Sequence, residues 1–167
     1  MNTYKESGVD IEKGDEASRI AFKHAKKTFE SRKGMFGSPA SLDGGFAGLI
    51  DMGDYYLVQA DDGVGTKSLV ASQVGKFDTL GYDLLCMVVD DAICLGAEII
   101  SVTNTMDVNR VEPNTVDQMM SGLSKAAIEQ KIALVGGEIA EMGDLSKGLI
   151  WNATCVGVVE KNKVIDD

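Results

Sequence analysis

Between Asp78 and Leu95 the chain places Leu84, Leu85, Val88, Ala92 and Leu95 at helical spacing, and Cys86, Val89 and Ile93 add a second apolar stripe beside the first. A helix apolar around most of its circumference has to be buried, so the rest of the chain must cover it. That helix also carries Asp83, Asp90 and Asp91. Asp83 and Asp90 stand about two turns apart on one stripe, and Asp91 lies about 100° round from Asp90. Ionised carboxylates in such a setting repel one another and lose hydration, so they need partners. A hard divalent cation such as Mg2+, which takes oxygen ligands and bridges carboxylates to phosphates, is one answer; a solvated helix edge is another.

The flanking pattern supplies the cover. Residues 1–14 read as an extended arm, and Asp15 is placed to cap a helix reaching about Arg32, with Ala17, Ile20, Ala21, His24 and Thr28 on one stripe. The single histidine, His24, sits among lysines there and reads as structural. Residues 33–54 form a glycine-rich loop. A strand at Tyr55–Ala60 breaks at Asp61, and a strand at Ile99–Met106 follows the buried helix. Pro113 opens a helix bearing Val116, Met119, Met120, Leu123 and Ala127. A strand at Ile132–Val135 then ends in two glycines and Glu138, and Leu149–Glu160 is a long alternating strand. These elements give a sheet with helices on one face. Its second face needs cover that a partner subunit would supply.

With 167 residues the chain fits one domain with its own core. No apolar run approaches the ~20 residues needed to span a bilayer, and the N-terminus has no apolar segment of the secretory kind. A net charge of −10 opposes a general nucleic-acid or anionic-membrane surface. One anionic ligand is still compatible, given backbone N–H groups, a few cations and metal ions. Cys86, Cys94 and Cys155, an odd number without CxxC spacing, read as reduced buried thiols of a cytoplasmic protein.

Three stretches combine small residues with acids. In Asp61-Asp62-Gly63-Val64-Gly65-Thr66-Lys67 the glycines let the backbone approach a ligand and turn N–H groups toward an anion, Lys67 can neutralise a phosphate, and Thr66 can donate a hydroxyl. The spacing is not that of a Walker A loop, and a plain strand-to-helix turn accounts equally well for this stretch alone. The acids of the buried helix form the second stretch. The third, Gly136-Gly137-Glu138, sets a carboxylate at a strand end, with Glu141 farther along. A fourth, Gly44-Gly45-Phe46-Ala47-Gly48, has the composition of a flexible cover over a nucleotide.

Taken in order, YKESGVDI (4–11), GGFAGL (44–49), DDGVGTK (61–67), GYDLLCMVVDDAICLGAE (81–98), LVGGEIAEM (134–142) and VGVVEKNKVID (156–166) closely resemble the phosphoribosylformylglycinamidine cyclo-ligase family over nearly the whole chain. The resemblance covers the family's N-terminal half only, so residues 1–167 are expected to be an ATP-binding and dimerisation domain without the family's C-terminal domain. It implies an α+β fold whose mixed sheet pairs with that of a second subunit into a closed barrel. It also implies the reaction. ATP phosphorylates the formyl-amide oxygen of formylglycinamidine ribonucleotide, and the neighbouring amidine nitrogen closes the imidazole of aminoimidazole ribonucleotide in purine biosynthesis. Carried over by position, Asp62, Asp91 and Glu138 are expected at Mg2+, Asp62 and Lys67 at the chemistry, and Gly63, Gly65, Thr66 and Lys67 near the phosphates. Gly44, Gly45 and Gly48 match the family's glycine-rich segment.

This sequence departs from the common family pattern at Asp90, Asn104 and Ile139, where many members have Asn, Asp and Thr. The first two changes add and remove one negative charge, and are read as a compensating swap at the metal site. Two other readings stand beside the cyclo-ligase. One is another ATP-using member of the superfamily, such as selenide, water dikinase. The other is a non-catalytic nucleotide-binding and dimerisation module.

Overall fold

The computed structural model describes residues 4–40 and 47–165. The chain divides into two units, Met1–Pro39 and Ala40–Asp167.

In the first unit, α1 runs from Ile11 to Phe29 and passes into a short 3-10 turn, Glu30–Arg32. It begins earlier than expected because Asp10, not Asp15, is the cap. Asp10 has extended backbone, and its carboxylate accepts from the Lys13 N–H at 3.3 Å. Residues 4–8 of the expected arm form a turn rather than extended chain: the N–H groups of Ser7 and Gly8 donate to the carbonyls of Tyr4 and Lys5. No residue of α1 is buried. Gly14 has open space where a Cβ would stand. Gly14→Ala is therefore expected to stabilise the helix by roughly 0.5–1 kcal/mol. Thermal melting followed by helical circular dichroism checks this, and a lower melting temperature would refute it.

The second unit is built on a six-stranded mixed sheet of order β1-β2-β3-β6-β4-β5. Its strands are β1 (Ser38–Ala40, straddling the unit boundary), β2 (Gly48–Asp51), β3 (Tyr55–Gly63), β4 (Glu98–Val108), β5 (Ala133–Glu141) and β6 (Leu149–Glu160). Three helices join them: α2 (Lys67–Val74), α3 (Leu80–Ile93) and α4 (Pro113–Gln130). The central strand β6 pairs antiparallel with β3 on one side and β4 on the other, whereas β4 and β5 run parallel across α4.

Alternation along the strands sorts the faces. Val58 and Ala60 of β3, Trp151, Ala153 and Cys155 of β6, and Val102, Asn104 and Met106 of β4 are buried on the helical face. Gln59, Asp61, Asn152, Thr103, Thr105 and Glu138 alternate with them and face away, together with exposed Ile100 and Ile150. Helices on one face of a mixed sheet are thus what the chain forms.

Three expectations change, and one helix fills a stretch for which no element was expected. The 33–54 stretch contains β1 and β2; β2 forms a hairpin with β3 in which Leu49 is buried opposite Val58, a pairing that the glycines of the stretch conceal. β3 continues to Gly63, since β6 is long enough to pair with it throughout. Residues 67–74 form a helix, α2. β5 runs through the two glycines instead of ending at them, held by β4 on one edge.

Helix α3 buries Leu84, Leu85, Val88 and Ala92 against the sheet and α4. Its second stripe is not enclosed: Cys86 and Ile93 are exposed, and with Val89 they line a groove of about 480 Å³ between α3 and α4. Cys86 and Cys94 are therefore free but exposed, and only Cys155 is the buried thiol that all three were expected to be. No helix among the described residues is long and apolar enough to cross a membrane.

Candidate functional site

The segment from Asp61 to Lys67 leaves β3 and enters α2. Asp61 points to the open sheet face and accepts a hydrogen bond from the Thr154 hydroxyl. Asp62, one residue on, turns to the helical face, where one of its oxygens accepts from the Gly63 N–H at 2.6 Å. Gly63 has no room for a side chain: a Cβ there would stand 2.0 Å from Asn152 Oδ1 and 2.9 Å from the Trp151 carbonyl oxygen. That carbonyl accepts from the Val64 N–H at 3.0 Å. Gly65 has φ +56°, a left-handed conformation that costs glycine little. The Ser68 hydroxyl and N–H both reach the Gly65 carbonyl, at 3.0 and 3.4 Å. The chain thus reverses tightly at the strand end, and Thr66, the residue before α2, spends no side-chain bond on capping it.

Asp91 stands half-buried on α3. Burial raises its carboxyl above the usual range, and the charges of Asp62 and Asp90 raise it further. Asp62 and Asp91 are therefore close enough to feel each other's charge. Beneath them the Cys155 thiol donates to the Val88 carbonyl at 3.0 Å, and burial pushes that thiol up.

The other acids of α3 go elsewhere. Asp83 takes Lys67, whose Nζ lies 3.2 Å from its carboxylate. Asp90 is exposed on the groove side. The three carboxylates of α3 do not converge on one point: Lys67 draws off Asp83, while Asp90 still adds to the charge felt by Asp91.

Glu138 stands opposite Thr105, Thr105 opposite Asn152, and Asn152 opposite Gly63, in one row across four strands on the open face. At ~4.8 Å per strand, Glu138 is about 14 Å from Gly63. The structure brings Asp62 and Asp91 together and leaves Glu138 apart. Among the described residues no three His, Cys, Asp or Glu side chains gather to hold an ion. An open hollow of about 480 Å³ is lined by Asp61, Asp62, Gly63, Thr105, Asn152, Ala153 and Thr154, without Glu138.

Asn152, Thr154 and Thr105 were not singled out from the sequence. Their alternation with buried neighbours was visible, but the register that lines them up beside Asp61 was not. Gly48 is exposed opposite Gln59, and Gly44 and Gly45 lie outside the described residues. Of the departing positions, Asp90 is exposed, whereas Asn104 is buried and hydrogen-bonded to Trp151.

Residues 44–159 match the family model described as AIR synthase related protein, N-terminal domain. The phosphoribosylformylglycinamidine cyclo-ligase of Pyrococcus furiosus is 47% identical over 165 residues, 99% of this chain and 49% of the relative. The chain spans about half the length of the curated relatives it matches. The solved structure of AaThiL complexed with AMPPCP and TMP shares the fold, with TM-score 0.64 at 18% identity, over 87% of this chain and 42% of that one. T. maritima PurL complexed with ADP does so with TM-score 0.60 at 18% identity, over 77% and 21%.

Proposed function

The chain belongs to the AIR synthase related family, and we propose that it is the ATP-binding half of a phosphoribosylformylglycinamidine cyclo-ligase, a cytoplasmic purine-biosynthetic enzyme. The observation that carries this is the Asp62–Asp91 pair at the mouth of a tight glycine turn that ends in Lys67. Two carboxylates whose joint ionisation is disfavoured suit one hard cation, which would remove the repulsion between them. Asp62 and Asp91 would hold Mg2+, which when bound screens phosphate charge.

The remaining roles fall to the protein. Gly65 and Thr66 offer backbone N–H groups and a hydroxyl to the phosphates, Gly63 lets the backbone come close to them, and Gly48, with Gly44 and Gly45, belongs to the glycine-rich segment carried over from the family. Lys67 neutralises the transferring phosphoryl group, with Asp83 orienting its ammonium. Asp62 sets the position of the nucleotide against the formyl-amide oxygen of formylglycinamidine ribonucleotide. The amidine nitrogen then attacks the activated carbon, phosphate leaves, and the ring closes. Glu138, three strands from Gly63 in the same cross-strand row, is assigned to the bound reactants rather than to the ion shared by Asp62 and Asp91. The open sheet face, with Ile100 and Ile150 exposed, is the surface proposed to pair with a second subunit in a homodimer.

Calorimetric titration with a non-hydrolysable ATP analogue tests the reading: binding should require Mg2+, and no binding under either condition would sink it. In the same titration Lys67→Ala should weaken binding about 10- to 100-fold, the scale of a lost charge-assisted contact. The melting temperature should barely move, because the exposed Lys67–Asp83 pair contributes little to stability. A lysine variant that binds normally would remove Lys67 from the site. The half-length match favours a second reading, in which this chain by itself binds nucleotide without turnover. Cyclisation restored by adding a separately expressed C-terminal half decides between the two.

A further inference from the structure

Asn104 is one of three buried polar or charged residues among those described, 7% exposed on the helical face of β4. It lies in the same cross-strand row as Asp62, through Ala153. The indole N–H of Trp151, itself fully buried, donates to Asn104 Oδ1 at 2.9 Å. An indole nitrogen can only donate, so the atom facing it must be the amide oxygen, and the amide NH2 is forced to the other side. There Asn104 Nδ2 faces the Gly136 carbonyl of β5 at 3.5 Å, longer than an ordinary N–H···O hydrogen bond and so a weak contact.

The next residue of β5 fits the same contact. A Cβ on Gly137 would stand 2.8 Å from the Asn104 carbonyl oxygen and 3.0 Å from its Nδ2. The glycine is what lets β5 close on this amide. The contact also follows the register shift between β4 and β5 at Val102 and Thr103. Beyond that shift Gly136, Gly137 and Glu138 pair with Thr103, Asn104 and Thr105.

We propose that Asn104 is a positioning residue: locked in one orientation by Trp151, it fixes Gly136 and Gly137 and thereby sets Glu138 on the open face opposite Thr105. The inference rests on the nucleotide-site reading for Glu138's role. Between the Trp151 N–H and the Gly136 carbonyl of this chain, an amide accepts on one side and donates on the other, which the Asp common at this place in the family could not do. A carboxylate would keep the bond from Trp151 and oppose the Gly136 carbonyl.

The test compares Asn104→Asp, Glu138→Gln and the double variant in the 167-residue chain. Melting temperature, amide hydrogen exchange, and affinity for an ATP analogue with Mg2+ are measured for each. Asn104→Asp should speed exchange selectively over residues 136–138 and weaken nucleotide binding about 10-fold or more, as loss of an orienting partner does. In the double variant the affinity losses should fail to add, because both changes remove one contact, while the stability loss of Asn104→Asp persists. A purely structural Asn104 would lower stability and leave affinity alone, or give fully additive affinity losses, and either result overturns the proposal. Unchanged exchange at 136–138 overturns it too. If the unaltered chain takes no nucleotide, the functional reading fails and this one with it; normal binding by both unaltered and Asn104→Asp chains defeats the positioning role alone. Trp151→Phe, which frees the amide to turn, should shift the same exchange signals, and silence there would remove Trp151 as the lock.

Discussion

Replacing Asp91 with Asn is expected to abolish Mg2+-dependent nucleotide binding while making the ligand-free protein more stable at neutral pH. The sign follows from the direction of its shift. Burial, then the charges of Asp62 and Asp90, hold the Asp91 carboxyl above its ordinary value of 3.8. A carboxyl raised on folding binds its proton more tightly in the native state than in the unfolded one. Its penalty is absent below the ordinary value, grows as pH climbs from there to the raised value, and stays constant above. Asparagine carries no such penalty, so the variant's advantage in thermal unfolding should vanish in acid and be full at neutral pH. The gain is small, because Asp91 retains much of its contact with water.

Loss of binding should be the larger effect. Removing an outer partner of a metal ligand costs roughly 10- to 100-fold in metal affinity, and removing a ligand should cost at least as much. Titrations at pH 7.5 with and without Mg2+, paired with melting curves from pH 3 to 8, provide both readouts. A variant that melts lower than the parent at neutral pH, or binds Mg2+ and nucleotide as well as the parent, would contradict the assignment.

The largest stability effect is expected at Gly81→Ala. Helices α3 and α4 approach so closely there that an added Cβ would fall 2.0 Å from the Leu123 nitrogen and 2.5 Å from the Leu123 Cα. Gly122 mirrors it, its Cβ position lying 2.0 Å from the Asp78 carbonyl oxygen. These obstacles are backbone, which no rotamer change can move aside, so the helices would have to separate. That separation would loosen Leu84 and Leu123, both fully buried at this crossing. Overpacking of this kind costs ~3 kcal/mol or more, which for a chain of this size is a drop of roughly 6–12 °C in melting temperature. Differential scanning calorimetry would show it. A fall of only a degree or two would mean that the two helices cross more loosely than described.

Local pattern determined a good deal. The apolar periodicity of α3, Pro113 opening α4, and the alternation of β6 each marked an element correctly, because side-chain burial follows the period of a helix or strand directly. The acids and glycines around Asp62 and Lys67 also announced a tight turn beside charge. Register and distance were different matters. Glycines hid β2 although its hairpin partner β3 follows at once, whereas the continuation of β5 through Gly136 and Gly137 and the place of Glu138 three strands from Gly63 depend on residues far away in sequence. Nor could spacing along α3 tell which acid turns to Lys67, which to solvent and which to Asp62. Packing decided that, since only the tertiary arrangement fixes what each direction on a helix meets.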